Sequence, residues 1–367
     1  MKILIICNYS SGLLKFRGLL IRTLIDRGHS VSAVVPWTDE ESELQSEKGL
    51  EAAHCSLIHL PIERRGMNPL KDAKLLRNYR NVIEKERPDL VVTYTIKPNI
   101  YGGIACRILG VPYAANITGL GTAFQNNGML KTLVTKLYRV ALKRAKTVFF
   151  ENVENRQTLL DAGIVNEEQA CLLHGAGVNV EHFSLQPYPE DDSGMRFLFI
   201  GRVMREKGVD ELFAAMRALR ADGIPCTLDV LGGYEEDYQA IMDQYQEEGW
   251  LRYHGYQDDV RPFIAECHCF VLPSWHEGMA NTNLECAASG RPVITSRIHG
   301  CMEAVVDGES GLLCEAKNAD SLYRVMKHFC ELPWDERKTM GERGRQHMEA
   351  VFDKKQVVRE TLERLEL

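Results

Sequence analysis

Short runs of apolar, mostly β-branched residues recur along the chain with helical stretches between them, and this alternation constrains the fold most. Strands that alternate with helices build parallel sheets from βαβ units. Twelve such runs exceed one comfortable open sheet, and 367 residues are many for a single core. We therefore expect an α/β protein with two parallel-sheet domains. The predicted strands are Ile3–Cys7, Val31–Val35, Leu57–Leu60, Leu90–Tyr94, Tyr113–Ile117, Thr147–Phe150, Phe197–Ile200, Thr227–Leu231, Leu251–Tyr253, Phe270–Leu272, Val293–Thr295 and Gly311–Cys314.

A polar segment that contains two prolines, Ser184–Gly194, separates the two halves and has the composition of a linker. It predicts a first domain over residues 1–183 and a second over residues 184–349. Apolar residues at three- and four-residue spacing then predict an amphipathic helix at the end of the chain. We expect this helix, at about residues 350–367, to pack back on the first domain.

The composition is that of an ordinary globular protein, with 45% hydrophobic and 26% charged residues. No apolar run approaches the roughly 18 residues of a membrane span, and Ile3–Cys7 is too short for a signal sequence. We therefore expect a cytoplasmic protein. Neither G-x-G-x-x-G nor a Walker A pattern follows the first predicted strand, so neither a nicotinamide enzyme nor a phosphate-loop ATPase is supported.

The 11 cysteines are scattered, and only Cys267-His268-Cys269 has the look of a metal site. Alternate residues on a strand point to one face, so the two thiols could share a ligand. No second pair with zinc-site spacing exists, however. We expect no bound metal.

Positive charge is concentrated in the first half of the chain. Residues 1–185 carry 23 Lys and Arg against 18 Asp and Glu, and the remainder carries 21 against 33. Random drift of surface charge would explain this, but an anionic partner for the first half would explain it too. No feature indicates a nucleic-acid partner.

A basic amphipathic stretch lies within that half, between residues 131 and 146. Its apolar stripe could pack on the first sheet while its charges are solvated, or the charges could meet an anionic membrane surface. Both can hold at once, and we favour a peripheral association with the inner face of the cell membrane. The cations are Lys131, Lys136, Arg139, Lys143, Arg144 and Lys146.

Two cations follow the first strand of the second half, in Gly201–Gly208. Arg202 can fork onto two phosphate oxygens, and Lys207 supplies a compact charge just before a predicted helix. A helix N-terminus adds backbone N–H groups and about half a positive charge. These groups are typical of a site for a diphosphate, although a solvated loop would also carry them.

Two carboxylates, Glu277 and Glu285, flank the start of another predicted helix, with Asn281 as its N-cap. An ionised carboxylate only accepts hydrogen bonds, so it suits a diol. Glu285 could take both hydroxyls of a ribose, and Glu277 could take a hydroxyl of a transferred sugar. Two surface glutamates would be the ordinary alternative.

These motifs resemble those of family 4 glycosyltransferases. That family has the GT-B fold, two Rossmann-like parallel-sheet domains facing each other across a cleft. The resemblance extends over essentially the whole chain. It is closest to bacterial enzymes that extend lipid-linked sugars for capsule, exopolysaccharide or N-glycan assembly. The segments that carry it are Gly201–Gly208, Glu277–Glu285, Gly290–Ile294, Thr95–Asn99, Thr118–Gly121 and His174–Asn179.

The resemblance implies a retaining, metal-independent transfer from a UDP-sugar, without a cofactor, to a polyprenyl-diphosphate-linked acceptor. Arg202, Lys207 and Glu277 would be the catalytic residues. The nucleotide base would rest near Tyr256 and Gln257. The remaining donor-binding residues would be Gly201, Gly278, Met279, Ala280, Asn281, Thr282 and Glu285. Ala280 stands where the family commonly has proline.

The same resemblance implies that the first domain binds the acceptor. Thr118 stands where many members have a histidine, and it cannot act as a base near neutral pH. The residues that would meet the acceptor's sugar or phosphate are Arg17, Thr95, Lys97, Asn99 and Thr118.

Three other functions suit the same two-domain shape: a transferase with a soluble acceptor, a sugar-nucleotide epimerase, and a catalytically silent scaffold. An epimerase needs acid and base groups on either side of the sugar, and no such pair is evident. A silent scaffold would have lost Arg202, Lys207 or Glu285, and all three are present.

Overall fold

The structure, a computed structural model, describes residues 1–63, 66, 68–121, 128–190 and 194–367. It divides into two compact units. The first comprises Met1–Ala176 and Lys355–Leu367, and the second comprises Gly177–Lys354. No helix among the described residues is long and apolar enough to cross a membrane.

The first unit is a parallel sheet with helices on both faces, and its strand order is β3-β2-β1-β4-β5-β6-β7. The strands are β1 (Lys2–Ile6), β2 (Ser30–Pro36), β3 (Ser56–Leu60), β4 (Leu90–Tyr94), β5 (Tyr113–Ile117), β6 (Thr147–Phe150) and β7 (Ala170–Leu172). The helices are α1 (Ser10–Asp26), α2 (Glu41–Ala52), α3 (Pro69–Glu86), α4 (Gly103–Leu109, preceded by a π-turn over Pro98–Gly102), α5 (Met129–Leu142) and α6 (Val153–Asp161).

Burial on both faces explains why these strands read as continuous apolar runs. Alternate residues of β1 enter opposite cores: Ile3 and Ile5 pack beneath α1, whereas Leu4 and Ile6 pack on the other face. The last helix of the chain, α13 (Lys354–Leu365), adds its apolar stripe to the core beneath α1.

The second unit is also a parallel sheet, with the strand order β10-β9-β8-β11-β12-β13. Its strands are β8 (Met195–Ile200), β9 (Cys226–Leu231), β10 (Leu251–Tyr253), β11 (Cys269–Leu272), β12 (Val293–Ser296) and β13 (Gly311–Cys314). Its helices are α7 (Val209–Ala221), α8 (Gln239–Glu247), α9 (Arg261–Glu266), α10 (Asn281–Ala288), α11 (Ala319–Glu331) and α12 (Trp334–Val351), with 3₁₀ turns over Arg205–Lys207 and Met302–Ala304.

The segment interpreted as a linker is an integral part of the second unit, and that prediction is wrong. Arg291 is fully buried and donates from Nη2 to the Pro187 carbonyl at 2.7 Å. The Tyr188 hydroxyl donates to the His268 carbonyl at 3.0 Å, and Trp334 Nε1 donates to the Pro189 carbonyl at 2.7 Å. Residues 191–193 lie outside the described part of the chain. The units divide instead at residues 176/177 and 354/355.

All twelve predicted strands are confirmed, five of them with the same bounds. The sequence analysis missed β7, which spans only Ala170–Leu172 at the edge of the first sheet and ends on an exposed leucine. Three residues are too few to show the repeating pattern of apolar side chains by which a strand is recognised.

In each sheet, successive strands are added first on one side of the initial strand and then on the other, so the strand order reverses once. In the first sheet the reversal lies between β1 and β4, and in the second it lies between β8 and β11. Ligands of open parallel sheets bind outside the carboxyl ends of the strands at such a switch point. The fold therefore directs attention to the segments that follow these four strands.

Candidate active site

The segment after β8 is held against the segment after β11 by backbone contacts. The Trp275 N–H donates to the Glu206 carbonyl at 2.8 Å, and the Ser274 hydroxyl donates to the same oxygen at 3.2 Å. Gly208 has φ +74°, and a Cβ there would lie 2.1 Å from the Pro273 carbonyl oxygen. Only glycine permits this approach.

A third segment, after β12, closes against the second. The Ala280 N–H donates to the Gly300 carbonyl at 2.7 Å. A Cβ on Gly300 would lie 2.6 Å from the Glu277 carbonyl oxygen. Glu303 fixes this segment, because it accepts hydrogen bonds from the Gly300 N–H at 2.7 Å and from His299 Nδ1 at 2.8 Å. The third segment was not predicted from the sequence. The sequence feature that marks it is the glycine at position 300, where the backbone has a positive φ.

Lys207 and Glu277 meet where the first two segments join. The Lys207 ammonium donates to Glu277 Oε1, and the two side chains are only 18% and 12% exposed. Neither residue is the solvated surface charge of the ordinary alternative. Because a charged hydrogen bond holds both groups, the site presents a fixed cation and a fixed carboxylate to a ligand.

The buried Cys301 thiol lies close enough to this pair for both charges to act on it. Burial raises the pKa of Cys301 well above its ordinary value, Glu277 adds to that rise, and Lys207 opposes it. The Cys301 thiol therefore stays protonated and adds no charge close to Lys207 and Glu277.

Arg202 differs from Lys207 because it is 54% exposed, and its guanidinium lies 3.3 Å from Glu235 Oε2. It is therefore a cation that solvent and a ligand can reach. The helix α7 begins directly after the same segment, with Gly208 as its N-cap residue. The two acidic residues of its first turn are engaged elsewhere, since Asp210 accepts from the Tyr238 hydroxyl at 2.9 Å and Glu211 accepts from Trp275 Nε1 at 3.2 Å.

Glu285 lies one turn into α10 and is only 4% exposed. The prediction of Asn281 as the N-cap is wrong: Asn281 is the first helical residue, Ala280 precedes it, and the Asn281 amide donates to the Met279 carbonyl at 3.2 Å. The bond from Ala280 to the Gly300 carbonyl fixes the helix start one residue earlier than local sequence predicts.

Two of the predicted donor-binding residues can contribute only backbone groups. The Met279 and Ala280 side chains are 6% and 3% exposed and lie in the hydrophobic core of the second unit. The Gly201, Gly278 and Thr282 positions are half-buried in the segments already described.

Tyr256 and Gln257 follow β10 at the same edge of the sheet. Tyr256 is 71% exposed, so its ring is available to a planar ligand. Gln257 Nε2 donates to the His254 carbonyl at 2.6 Å, which engages its amide nitrogen locally. The segment after β10 is tied to the one after β9, because the Gly232 N–H donates to the Gly255 carbonyl at 2.7 Å.

The Cys267-His268-Cys269 sequence serves the fold. His268 is fully buried, accepts at Nδ1 from the Arg196 N–H at 3.0 Å, and has Nε2 3.1 Å from the Glu190 carbonyl. Among the described residues, no three His, Cys, Asp or Glu side chains are grouped to hold a metal ion.

In the first unit, three of the five predicted acceptor residues have partners within the protein. Arg17 lies in α1 and donates to Glu151 at 2.6 Å, Lys97 lies 3.2 Å from Asp72, and both pairs are largely buried. Burial raises the pKa of Glu151, and Arg17 opposes that rise.

Asn99 is 1% exposed and entirely engaged inside the sheet: its Nδ2 donates to the Asn116 carbonyl at 2.7 Å, and its Oδ1 accepts from Thr93 at 2.7 Å. The prediction that Asn99 meets an acceptor is therefore wrong. Arg17 and Lys97 are likewise not free cations for a phosphate. Thr118, half-buried, directly follows β5, and Thr95 directly follows β4.

The basic helix α5 packs its apolar stripe on the first sheet, as one of the two interpretations expects. Val134, Tyr138 and Leu142 are buried on the sheet, so the apolar stripe belongs to the core. Its exposed surface also carries apolar residues among the cations, with Leu130, Leu133 and Val140 at 49%, 47% and 47%. Two of the cations are held locally, as Arg139 donates to the Ala162 carbonyl at 2.7 Å and Lys146 lies 2.7 Å from Glu366. The exposed cations on this surface are Lys136, Arg139, Lys143, Arg144 and Lys146.

Comparison with known proteins agrees with this architecture in both halves. Residues 12–174 match the family described as a glycosyl transferase 4-like domain, and residues 182–347 match the family described as glycosyl transferases group 1. The fold and these matches define a two-domain glycosyltransferase of the GT-B class. The chain belongs to the family 4 type of these enzymes, as its motifs predicted.

Its relatives include bacterial enzymes with lipid-linked acceptors. The N,N'-diacetylbacillosaminyl-diphospho-undecaprenol α-1,3-N-acetylgalactosaminyltransferase of Campylobacter jejuni is 26% identical over 88% of this chain and 87% of its own. The UDP-Gal:α-D-GlcNAc-diphosphoundecaprenol α-1,3-galactosyltransferase of Escherichia coli is 26% identical over 73% of each chain. The Anabaena HepE structure with UDP and glucose superposes with a TM-score of 0.77 at 17% identity, covering 100% of this chain and 99% of that chain.

Proposed function

We propose that this glycosyltransferase moves a hexose or N-acetylhexosamine from a UDP-sugar to a polyprenyl-diphosphate-linked glycan. We further propose that it does so with retention of configuration and without a metal ion. The observation that carries the proposal is the contact of Lys207 with Glu277 at the switch point of the second sheet. The activities of the Campylobacter and Escherichia relatives support the class of acceptor.

The diphosphate of the donor would lie between Lys207, Arg202 and the start of α7. Lys207 is fixed by Glu277, whereas the exposed Arg202 can exchange Glu235 for a phosphate oxygen. As the nucleotide departs, negative charge grows on its β-phosphate. Cations that are already oriented stabilise that charge without reorganisation, and losing one such group typically costs about 10² to 10³ in rate.

The two carboxylates would hold the sugars of the donor. Glu285 would accept from the ribose hydroxyls, and Glu277 would accept from a hydroxyl of the transferred sugar while it orients Lys207. The exposed ring of Tyr256 would lie against the uracil, beside Gln257. Backbone groups of Gly278, Met279 and Ala280 would line the path between them.

In the proposed reaction, the acceptor hydroxyl attacks the anomeric carbon from the face that the nucleotide leaves. The bond from that carbon to the β-phosphate oxygen breaks, and its electron pair stays on the phosphate. That oxygen receives the acceptor's proton, so UDP and a glycoside of unchanged anomeric configuration result. No protein nucleophile is needed, and Thr118 need not act as a base.

The acceptor carries a lipid, so the enzyme would work at a membrane surface. The exposed side of α5 combines cations with Leu130, Leu133 and Val140, which suits the headgroup region of an anionic leaflet. We propose that this face holds the protein on the inner side of the cell membrane.

The test is a transfer assay with a panel of UDP-sugars and a short polyprenyl-diphosphate-linked glycan, run in EDTA. We expect one donor to give a product whose anomeric configuration, read by NMR, equals that of the donor. Lys207→Ala should lose at least about a hundredfold in kcat. Lys338→Ala, an exposed lysine on α12, is the matched control and should retain the wild-type rate.

Three results would contradict the proposal. An inverted product would exclude retention, loss of the reaction in EDTA would exclude metal independence, and wild-type turnover in Lys207→Ala would remove that residue from the site. Thermal unfolding of both variants separates a loss of chemistry from a loss of fold.

A further inference from the structure

Three buried polar atoms at the switch point of the first sheet have no hydrogen-bond partner among the described residues. They are Asn8 Oδ1, the Tyr94 hydroxyl oxygen and Thr95 Oγ1. Asn8 is only 8% exposed and Tyr94 only 3%. Buried polar groups in native proteins are nearly always paired, because leaving one unpaired destabilises the fold. Three such groups at one strand edge point to a ligand that supplies their partners.

The register of the sheet brings these residues to the same level. Ile6 of β1 is paired with Thr93 of β4, and Asn8 and Thr95 each lie two residues beyond that pair. Tyr94 is the last residue of β4. Asn8 and Thr95 therefore leave the sheet side by side, where ligands of such sheets bind.

Thr95 also adopts a backbone conformation that β-branched residues rarely tolerate, with φ +74°. Its carbonyl accepts from the Asn99 N–H at 2.9 Å, which begins the turn that follows. The same residue, Thr95, carries the buried hydroxyl that has no hydrogen-bond partner among the described residues.

The positive groups nearest to this edge are each paired with a carboxylate of the same unit. Arg17 is paired with Glu151 at 2.6 Å. Lys97 is paired with Asp72 at 3.2 Å. The N-terminus of α1, where a phosphate would otherwise bind, donates its first two N–H groups to Glu43 Oε2 at 2.6 and 3.0 Å.

We propose that Asn8, Tyr94 and Thr95 form a site for a neutral sugar, the terminal ring of the acceptor glycan, and that this site does not hold the acceptor's phosphates. This inference rests on the proposed function. A carboxamide oxygen accepts from a sugar hydroxyl or an acetamido N–H, and the two hydroxyls can donate or accept. A diphosphate would have to displace Glu43 from α1 or separate a buried ion pair, whereas a neutral ring needs neither.

The Tyr94 hydroxyl can serve as a donor throughout the physiological range. Burial raises the pKa of Tyr94 to about 12, so the hydroxyl keeps its proton. The ring beneath it is fixed, since the Arg17 guanidinium lies 4.9 Å from its centroid.

Tyr94→Phe is the sharpest test, because it removes only the unpartnered hydroxyl. We expect an unchanged or higher unfolding temperature, an unchanged KM for the donor, and a KM for the acceptor raised about fivefold, the value of one ordinary hydrogen bond. Tyr113→Phe is the matched control. Tyr113 is the first residue of β5, at the opposite end of the strands, and its hydroxyl donates to the Ala141 carbonyl. This variant should therefore lose stability and keep its acceptor KM.

Two further variants test the proposal if Tyr94→Phe does not fold. Asn8→Ala should also raise the acceptor KM without altering the donor KM. Thr95→Ser, which keeps the hydroxyl, should bind the acceptor better than Thr95→Ala. A purely structural role for these residues would change stability and leave the acceptor KM unmoved, and that result would overturn the proposal.

Binding without turnover separates this inference from the proposed function. The probes are neutral octyl glycosides of glucose, N-acetylglucosamine and N-acetylgalactosamine, measured on the full chain by saturation-transfer NMR. We expect at least one to bind the wild type, to bind Tyr94→Phe more weakly, and to resist competition by inorganic diphosphate. Competition by diphosphate, or equal binding to Tyr94→Phe, would overturn the inference. If glycosides bind as expected but no donor is ever transferred, the proposed function alone fails.

Discussion

At the scale of single residues, the site of the second unit depends on glycines that let segments approach and on one pair of opposite charges. Lys207 and Glu277 are 70 residues apart in sequence and come together because the segments after β8 and β11 are bonded to each other. Local sequence patterns indicate which residues have the chemistry to bind a ligand. It does not predict partners supplied by distant elements, and for that reason Arg17 was assigned to a ligand although Glu151 already binds it.

Gly208 is a glycine whose loss should damage the site directly, because it lies beside Lys207. In Gly208→Ala the new methyl group would meet the Pro273 carbonyl and force the two segments apart. The matched control is Gly223→Ala, which has φ +80° but open space around the new methyl group. A left-handed alanine alone costs about 1–2 kcal/mol, so Gly223→Ala should lose that much stability, as measured by urea unfolding.

Gly208→Ala should lose more stability than Gly223→Ala and should also weaken UDP binding. Equal losses of stability in the two variants, with unchanged UDP affinity, would show that the close approach of the two segments has no role in the site.

At the scale of secondary-structure elements, strands were predictable because a parallel strand buried on both faces is a continuous apolar run. Helix starts were less predictable, because bonds from other segments decide them. Asn281 has the residue type of an N-cap, yet the carbonyl of Gly300 binds the Ala280 N–H and moves the helix start. The supposed linker was misjudged for a related reason: its prolines and polar residues pack against Arg291 and Trp334, which follow it by a hundred residues or more.

The start of α9 gives an element-scale prediction with a pH dependence. Asp259 accepts from the backbone N–H of Arg261 and from its guanidinium, at 3.1, 2.8 and 2.7 Å, and these bonds lower the pKa of Asp259 to about 2. A carboxyl with a lowered pKa stabilises the fold above its unfolded pKa of 3.8, and this contribution disappears as the pH falls toward about 2.

Asp259→Asn should therefore be less stable than the wild type at about pH 6, by no more than about 1 kcal/mol because the pair is half-exposed. The difference in the free energy of unfolding should shrink by about pH 3. A difference that stays constant over this range would show that the charge of Asp259 contributes nothing.

At the scale of the whole molecule, the switch points of the two sheets differ in the exposure of their cations. An arginine and a lysine are paired with carboxylates at both, but Arg202 of the second is 54% exposed, whereas the Arg17 and Lys97 pairs of the first are largely buried. The sequence predicted both sheets, and its donor-binding residues in the second unit stay a prediction. It could not predict the pairing at the first switch point, because the carboxylates that pair there lie on α2, on α3 and after β6.

Membrane association is the other whole-molecule prediction. Lys136→Ala combined with Lys143→Ala removes one exposed cation from α5 and one from the residue that follows it. The double variant should weaken co-sedimentation with phosphatidylserine vesicles about 30-fold, since each cation contributes about 1 kcal/mol at an anionic surface. The control pair, Lys327→Ala with Lys338→Ala on α11 and α12, should bind like the wild type. If the double variant binds these vesicles as well as the wild type does, at low salt and at high salt, this face does not contact the membrane.

The most direct test of the central claim is calorimetric titration of the full chain with UDP in EDTA. We expect UDP to bind at one site per chain, with an affinity at least about tenfold weaker in Lys207→Ala, the loss expected for a charged hydrogen bond to the diphosphate. The same titration of Lys338→Ala should match the wild type. Absence of binding in EDTA, or equal affinity of Lys207→Ala and wild type for UDP, would show that Lys207 does not hold the diphosphate of a metal-free donor.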